Sequence, residues 1–482
     1  MNSNAFIDCF EDITSISFEK DSEIISICSY SLNYARIVSA DLSNCNKLAF
    51  LNDTVFIFCI YLETVKLPHC ITSIGGECFY VCPLQSINLP ESLTKIKDNA
   101  FNGCRLTNIT FPGNLTYIGN GAFYQCSLTS VTISGNLTYI GDHAFSECPL
   151  TASIINLRNI SYIGDYAFSG SSLTSVTISG NLTYIGFKAF ERCPLTEIIN
   201  LRNVSYIGEY AFSNSKLTNI TISGTDLCID NYSFYECKSL INVTILGSIS
   251  SIGNYSFYNC WNLTNITISD GLTYIGDYAF YNCTNLICFT ISDGLAYVGF
   301  RAFQECKSLT NIAVTGHDAY IADDVFFWCY SLTSIALPNG VRYIGRYVFS
   351  CCISLTSIII TGSKTDIRDY AFYYCQSLTS ITLSMNVTYV YSSLHTFEGC
   401  VNITNVTFLH SIKESYGHSN IFYYSSAKNV FVPRTFIVND RNYIRYGTNL
   451  YVTSRTILSN SSRYFFGKKN VYVHYNNKKR DL

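Results

Sequence analysis

The sequence predicts a mainly β repeat solenoid, built from near-identical rungs. Three observations predict it. A phenylalanine recurs fifteen times from Phe79 to Phe397, every 22 or 23 residues except for a last step of 25. A cysteine stands three residues after most of these phenylalanines. Between successive anchors the chain runs Leu-Thr-Ser-Val-Thr-Ile or a relative, a Gly-Asn or Asp-Gly pair, and then Leu-Thr-Tyr-Ile-Gly. Self-similarity at such a fixed period marks a repeat architecture.

Each phrase has a physical reading. The stretch from Leu128 is β-branched with apolar residues at Leu128, Val131 and Ile133, which reads as a short strand with one buried face. The Gly-Asn or Asp-Gly pair after it is turn chemistry. Leu137–Gly141 reads as a second short strand ended by glycine. Asp277–Cys283, which holds an anchor, reads as one turn of helix or 3-10 helix with Phe280 and Cys283 turned inward. No unit this small buries its apolar face alone. Stacked units do, each touching only its neighbours, and like positions then form ladders of Leu, Ile, Phe and Cys. Asn136–Gly180 and Asn181–Gly224 are near copies, and both carry serine (Ser171, Ser215) where the ladder cysteine is due. Duplication of a two-rung block accounts for them.

The phrase LxxIxI…VxxIGxxAFxxC, in some fifteen copies over about residues 54–410, resembles the BspA-like, or Treponema pallidum type, leucine-rich repeat. The resemblance implies a curved right-handed superhelix with a parallel sheet on its concave side, a leucine-rich-repeat architecture. Fifteen strands at about 4.8 Å each give a sheet about 70 Å long. Residues 1–53 are then degenerate N-terminal repeats and a cap, with Ile13–Phe18 opening that end. Residues 411–482 are degenerate repeats and a basic C-terminal cap, in which Asn429, Asn449 and Asn470 begin worn strands that continue the sheet. Open solenoids need such caps over their end strands. One continuous domain without a linker is expected.

The composition suits this reading. Of 482 residues, 48% are hydrophobic and 13% charged, against about 25% charged in ordinary soluble domains, so Ser, Thr and Asn carry the surface. Residues 411–482 hold twelve Lys/Arg and three Asp/Glu, a charge of +9, which leaves −12 on residues 1–410 out of a net −3. The densest basic run, Lys478–Arg480, is short, so the basic end reads as a solvated cap and no nucleic-acid partner is expected. The first residues lack a basic start and an apolar run, so no secretory signal is read. Val55–Leu62 is the longest apolar stretch, too short for a transmembrane segment. The C-terminal Lys-Arg-Asp-Leu matches an ER-retrieval signal poorly. A cytoplasmic location is expected, with the cell surface by an unconventional route as the alternative.

No residue pattern points to chemistry. Fourteen of the 22 cysteines, from Cys59 through Cys82, Cys104, Cys126 and Cys148 to Cys400, fall on the ladder. Cys351/Cys352 and Cys78/Cys82 come close together without a second pair at zinc spacing. The ladder cysteines read as small buried hydrophobes about 5 Å apart, staying free thiols in a reducing interior. The seven histidines (His69, His143, His317, His395, His410, His418, His474) are scattered. His143 takes the Tyr slot of its repeat, a surface substitution, and His410 and His418 with Glu414 between them read as a loop. Gly119–Gly121 lacks the rest of a dinucleotide fingerprint, and neither a P-loop nor a GxSxG elbow occurs. Asp142, Asp165 and Asp277 recur as turn or cap acceptors. The eighteen Asn-x-Ser/Thr triplets, among them Asn114, Asn136, Asn181, Asn262 and Asn265, follow the repeat. The expectation is no enzyme, no cofactor and no metal.

A binding face is predicted instead. Residues between the buried ones of each first strand point outward: Ser130, Thr132 and Ser134, then Ser175, Thr177, Asn219, Thr221, Asn242, Thr244, Asn265, Thr267, Thr290, Asn311, Ser334, Ser357, Ser380 and Thr382. This is a neutral Ser/Thr/Asn face without a basic stripe. Cys288, Ala313, Ala336 and Ile359 make its later half more apolar. The tyrosines of the Tyr-Ile-Gly phrase (Tyr117, Tyr139, Tyr184, Tyr274) and of the Tyr-Ala-Phe phrase (Tyr166, Tyr278, Tyr370) form either a contact surface on the flank or convex side, or packing between rungs. The function expected is a non-catalytic scaffold mediating protein–protein interaction through an extended concave surface, with a glycan as the other partner class. Exposed edge strands also allow end-to-end self-association. The resemblance adds an alternative, a cell-surface adhesin or antigen that binds host or matrix components, from whose exported members this chain departs in its N-terminus.

Overall fold

The computed structural model describes residues 13–482 except 134, 152–154, 179, 200, 291–293, 338–339, 361–363, 384–385, 388–394, 409–427, 433–448, 453–471 and 476–482. The chain forms two compact units, Met1–Leu240 and Ile241–Leu482. Each is a parallel β-solenoid, and among the described residues the turns number about 16.

One rung of the first unit explains the rest. Its long strand, Ser130–Ile133, pairs in parallel and in register with Asn108–Phe111 of the rung before. Along it Val131 is buried between exposed Ser130 and Thr132. The period of two that defines a strand therefore sets which side chains are inside. The short strand Tyr139–Ile140 pairs with Tyr117–Ile118 on one side and Tyr162–Ile163 on the other. Each short strand puts an isoleucine in the core and a tyrosine on the surface.

The segment around the anchor is not helical, contrary to the sequence reading, and the described residues contain no helix. From Gly141 to Cys148 the amides alternate in direction. Ala144, Ser146 and Cys148 donate to the carbonyls three residues back, while His143, Phe145 and Glu147 donate to Asp165, Ala167 and Ser169 of the next rung at 2.7, 2.8 and 3.2 Å. The result is three overlapping β-turns. His143 and Glu147 adopt φ of 55° and 60°, the conformation that the third residue of a type II turn requires. The pair recurs as Lys188/Arg192 and as Tyr278/Asn282. A helix would use every amide within its own turn. Here half of them are exported, and that export joins the rungs.

The core is a set of ladders. In the first unit the anchors stack ring on ring from Phe56 to Phe234, and in the second from Phe257 to Phe397. Centroids are 5.1–5.6 Å apart and planes agree within 17°. Phe56 lies one rung before the first anchor recognised in the sequence. Beside the rings run fully buried leucines such as Leu106, Leu128 and Leu150, and isoleucines such as Ile118, Ile140 and Ile163.

Strands are present near both ends. Ser15–Ser17 pairs with Ser39–Asp41, and that with Thr64–Lys66. Asn405–Phe408, Asn429–Val432, Asn449–Val452 and Tyr472–Tyr475 pair in turn. Asn449 opposes Tyr472 where the sequence pattern aligned it with Asn470. A slip of two residues preserves which face each position takes.

The glycine ending each short strand has a packing reason. A Cβ on Gly164 would lie 2.4 Å from Asp142 Oδ1 and 2.6 Å from the backbone nitrogen of Asp142 in the preceding rung. Gly141, Gly186 and Gly276 are pressed the same way. Glycine is needed because two backbones meet there. Gly164→Ala is therefore expected to cost about 2–3 kcal/mol, as overpacking does, read as a lowered midpoint of urea unfolding; an unchanged midpoint would show that the rungs separate freely at this point.

Candidate interaction surface

Most of the strand-face residues named from the sequence stand on the long strands. Ser130, Thr132, Asn219, Thr221, Asn265, Thr267, Asn311, Ser334 and Ser357 are exposed, and Ser175, Thr177, Asn242, Thr244, Ser380 and Thr382 are half-buried. Register brings equivalent residues side by side, as Thr110 with Thr132 and Asn242 with Asn265. Ser134 and the side chain of Thr290 lie outside the described residues, as do His410, Glu414 and His418. Cys288, Ala336 and Ile359 are exposed and Ala313 half-buried, so the apolar departures from the Ser/Thr/Asn pattern do face outward.

Charge on this face escaped the sequence reading because it sits in the degenerate first rungs. Lys66 Nζ lies 2.9 Å from Asp41 Oδ2 on the neighbouring strand. The Asp41 carboxyl is held at about 2 by the Ser43 hydroxyl, then by Lys66 and the Ser43 amide.

Polar ladders border the strands. Thr138 Oγ1 donates to the Thr116 carbonyl at 3.0 Å, Thr183 to Ser161 at 3.1 Å and Thr264 to Ile241 at 3.0 Å. These threonines close the triplets at Asn136, Asn181 and Asn262, so the repeat itself requires the hydroxyl. Asn136 Oδ1 accepts from Asn159 Nδ2 at 2.7 Å, and Asn181 Oδ1 from Asn203 Nδ2 at 3.1 Å. The recurrent aspartates are acceptors between rungs. Asp142 Oδ1 takes the Asp165 amide at 2.9 Å, Asp165 Oδ1 the Phe187 amide at 2.8 Å and Asp277 Oδ1 the Phe300 amide at 2.8 Å.

A model of the BspA type leucine rich repeat region matches residues 1–106, 94–218, 205–329 and 319–451. The chain belongs to the BspA-type leucine-rich repeat family. Similar solved structures include a leucine-rich repeat protein from Bacteroides ovatus, 26% identical over 72% of this chain and 86% of that one, with a TM-score of 0.47. The Treponema pallidum leucine-rich repeat protein is 24% identical over 41% and 73%, with a TM-score of 0.26. The pneumococcal vaccine antigen PcpA is 15% identical over 95% and 88%, with a TM-score of 0.29. No curated protein sequence matches. Among the described residues no helix is long and apolar enough to cross a membrane, and no three His, Cys, Asp or Glu side chains converge as metal ligands would.

In this BspA-type chain the ladder cysteine is a donor as well as a filler. Cys126 Sγ approaches the Phe101 carbonyl at 3.0 Å, Cys148 Sγ that of Phe123 at 3.0 Å and Cys306 Sγ that of Phe280 at 3.2 Å. The same Phe123 carbonyl also accepts the Cys126 amide at 3.1 Å, so one oxygen joins two rungs. In the duplicated block Ser171 and Ser215 sit 3.2 Å from Cys193 and Cys237, polar atom to thiol. Every described cysteine is a free thiol. Burial pushes the Cys59, Cys148, Cys193 and Cys237 thiols up to about 12, which suppresses the reactive thiolate. Cys288 is exposed on the strand face. Iodoacetamide at neutral pH should label Cys288 first in the folded chain and reach the ladder only after denaturation; peptide mapping that finds Cys126 or Cys148 labelled as fast would contradict the buried ladder.

The tyrosines pack between rungs and still present an edge. Tyr117, Tyr139, Tyr162, Tyr184 and Tyr206 stack at 4.7–5.0 Å within 14°. In the second unit Tyr274, Tyr297, Tyr320 and Tyr343 stack at 4.4–5.4 Å. His143 joins the column of the anchor turn, stacked on Tyr166 at 4.5 Å, as its place in the Tyr slot implied. Burial, with Asp142 beside it, pushes the Tyr162 phenol up to about 12, and burial with Asp323 does the same to Tyr343. A folded-state value above the unfolded value near 10 gives stability that is full below pH 10 and lost as pH rises towards 12. Alkaline titration followed by tyrosine absorbance should therefore find late-ionising phenols in the folded chain, with stability falling across that interval. Ionisation of all tyrosines near pH 10 without unfolding would remove the column.

Proposed function

We propose that this protein is a non-catalytic repeat scaffold whose long-strand face binds a protein partner. The observation that carries the reading is the face itself. Short neutral side chains stand at strand spacing on a backbone whose amides are already bonded between rungs, so little order remains to be bought on binding. Reactive groups are otherwise engaged: the ladder thiols are buried and protonated, and the recurrent aspartates accept amide hydrogen bonds. Members of this family are commonly interaction or surface proteins, which supports the same conclusion. A glycan is the second partner class, because hydroxyl and amide rims also suit sugars.

The test uses the full chain with Thr132, Thr177 and Thr221 replaced together by Arg, beside Lys216→Glu outside the strands as a control. A partner captured by cross-linking from the native cell is purified and its affinity measured. The triple variant should bind at least about tenfold more weakly, roughly 1.4 kcal/mol, while the control is unchanged. Equal affinities would overturn the strand face as the binding surface. Capture of a matrix component or glycan would move the protein to the adhesin reading.

A further inference from the structure

The long-strand ladder of the first unit has a gap. Thr64–Lys66 pairs backwards with Ser39–Asp41, and Asn108–Phe111 pairs forwards with Ser130–Ile133. Gln85–Leu89, between them in sequence, alternates exposed Ser86 and Asn88 with buried Ile87. Yet among the described residues no backbone hydrogen bond joins it to either neighbour. The same rung is held normally elsewhere: Lys95–Ile96 pairs on both sides, and Phe79 stacks on Phe101 at 5.2 Å. The rung is thus closed at its short strand and its turn, and open at its long strand.

The opening is a slit of about 180 Å³ between Ser86–Leu89 and the strand Asn108–Phe111. Ile87 and Ile109 form an apolar floor, 8% and 3% exposed. Ser86, Asn88, Asn108 and Thr110 form a polar rim. Glu91 lines the slit too; its Oε2 accepts the Gly113 amide at 3.1 Å, which leaves Oε1 for a further donor.

We infer that this slit receives a short extended peptide, which pairs its backbone with the bare strand edges and places a cationic side chain at Glu91. The inference rests on the strand face being the binding surface and names one subsite of it. A bare strand edge offers amides and carbonyls at a fixed spacing, and a peptide backbone reproduces that alternation. The slit has room for several waters, which a short segment displaces. The floor accepts small apolar side chains, since alternate residues of an added strand point inwards.

Two measurements on the full chain test this. In the free protein, hydrogen exchange at Gln85–Leu89 should be faster than at Ser175–Ile178, which is paired on both edges. Random linear peptides displayed on phage are then selected on the full chain, and the enriched peptide is synthesised. It should slow exchange at Ser86–Leu89 and Asn108–Phe111. Thr110→Arg, at an exposed rim position, should weaken it at least tenfold, while Lys216→Glu, outside the strands, leaves it unchanged; equal melting temperatures show that both variants fold. Exchange at Gln85–Leu89 as slow as at Ser175–Ile178, no enriched peptide, binding that survives Thr110→Arg, or a glycan that protects the slit in place of a peptide would each overturn the inference. The two readings fail separately. A partner sensitive to the triple Arg variant but indifferent to Thr110→Arg keeps the face and removes the slit, and the reverse pattern keeps the slit and removes the face.

Discussion

Everything in this structure depends on the export of backbone amides from one rung to the next. In the anchor turn, His143, Phe145 and Glu147 find their acceptors only in the following rung. A buried amide left without a partner costs of the order of 1–3 kcal/mol, so an isolated rung would carry several such debts at once. Two residues per turn also hold left-handed backbone, disfavoured by about 1–2 kcal/mol each when not glycine. The conformation persists because the neighbour accepts the exported hydrogen bonds. The Cys thiol, the Asp carboxylate and the Thr hydroxyl repeat the same solution at three further points of the rung, each reaching a backbone group of an adjacent rung.

That constraint also explains the composition. A residue type repeated at one position meets its copy about 4.8 Å away. Two like charges at that distance repel by about 1 kcal/mol even in water, and the penalty recurs along the stack. Aromatic rings, amides, hydroxyls and thiols tolerate their own copies, and these are the residues that form the columns. Several charges on successive rungs come as opposites, as in Lys47 with Glu23, Lys66 with Asp41 and Arg301 with Asp324, while in the like pair Asp142 and Asp165 each carboxylate accepts a backbone amide. The low charged fraction follows from stacking, with no reference to a partner.

The ladders were legible in the sequence because a period of 22 or 23 residues survives any local ambiguity. The anchor turn was misread as helical because its inward Phe and Cys stand three apart, as on a helix. What decides against a helix is the direction of alternate amides, which side-chain spacing does not encode. The donor role of Cys148 was hidden for a related reason, since its acceptor is a backbone carbonyl 25 residues away. The slit was invisible because Ser86-Ile87-Asn88-Leu89 has the alternation of a paired strand; pairing is a property of two segments, and the pattern reports only one. The outward positions were named from alternation, which in a strand fixes the face.

A repetitive face poses a problem of register. If every rung offered the same hydroxyls and amides, a ligand displaced by one rung would make the same contacts, and its position would be fixed by nothing. Specificity is a difference between affinities, so it has to come from the rungs that differ. In the first unit those are the paired charges of Asp41 and Lys66 and the open rung at Gln85–Leu89, all within the stretch whose repeats are the least regular. In the second unit they are Cys288 and Ile359, the latter 60% exposed and opposite Thr382 of the next rung. Within each unit, the regular rungs set the distance between irregular ones. A partner matched to that spacing would gain from each departure only when seated in a single register.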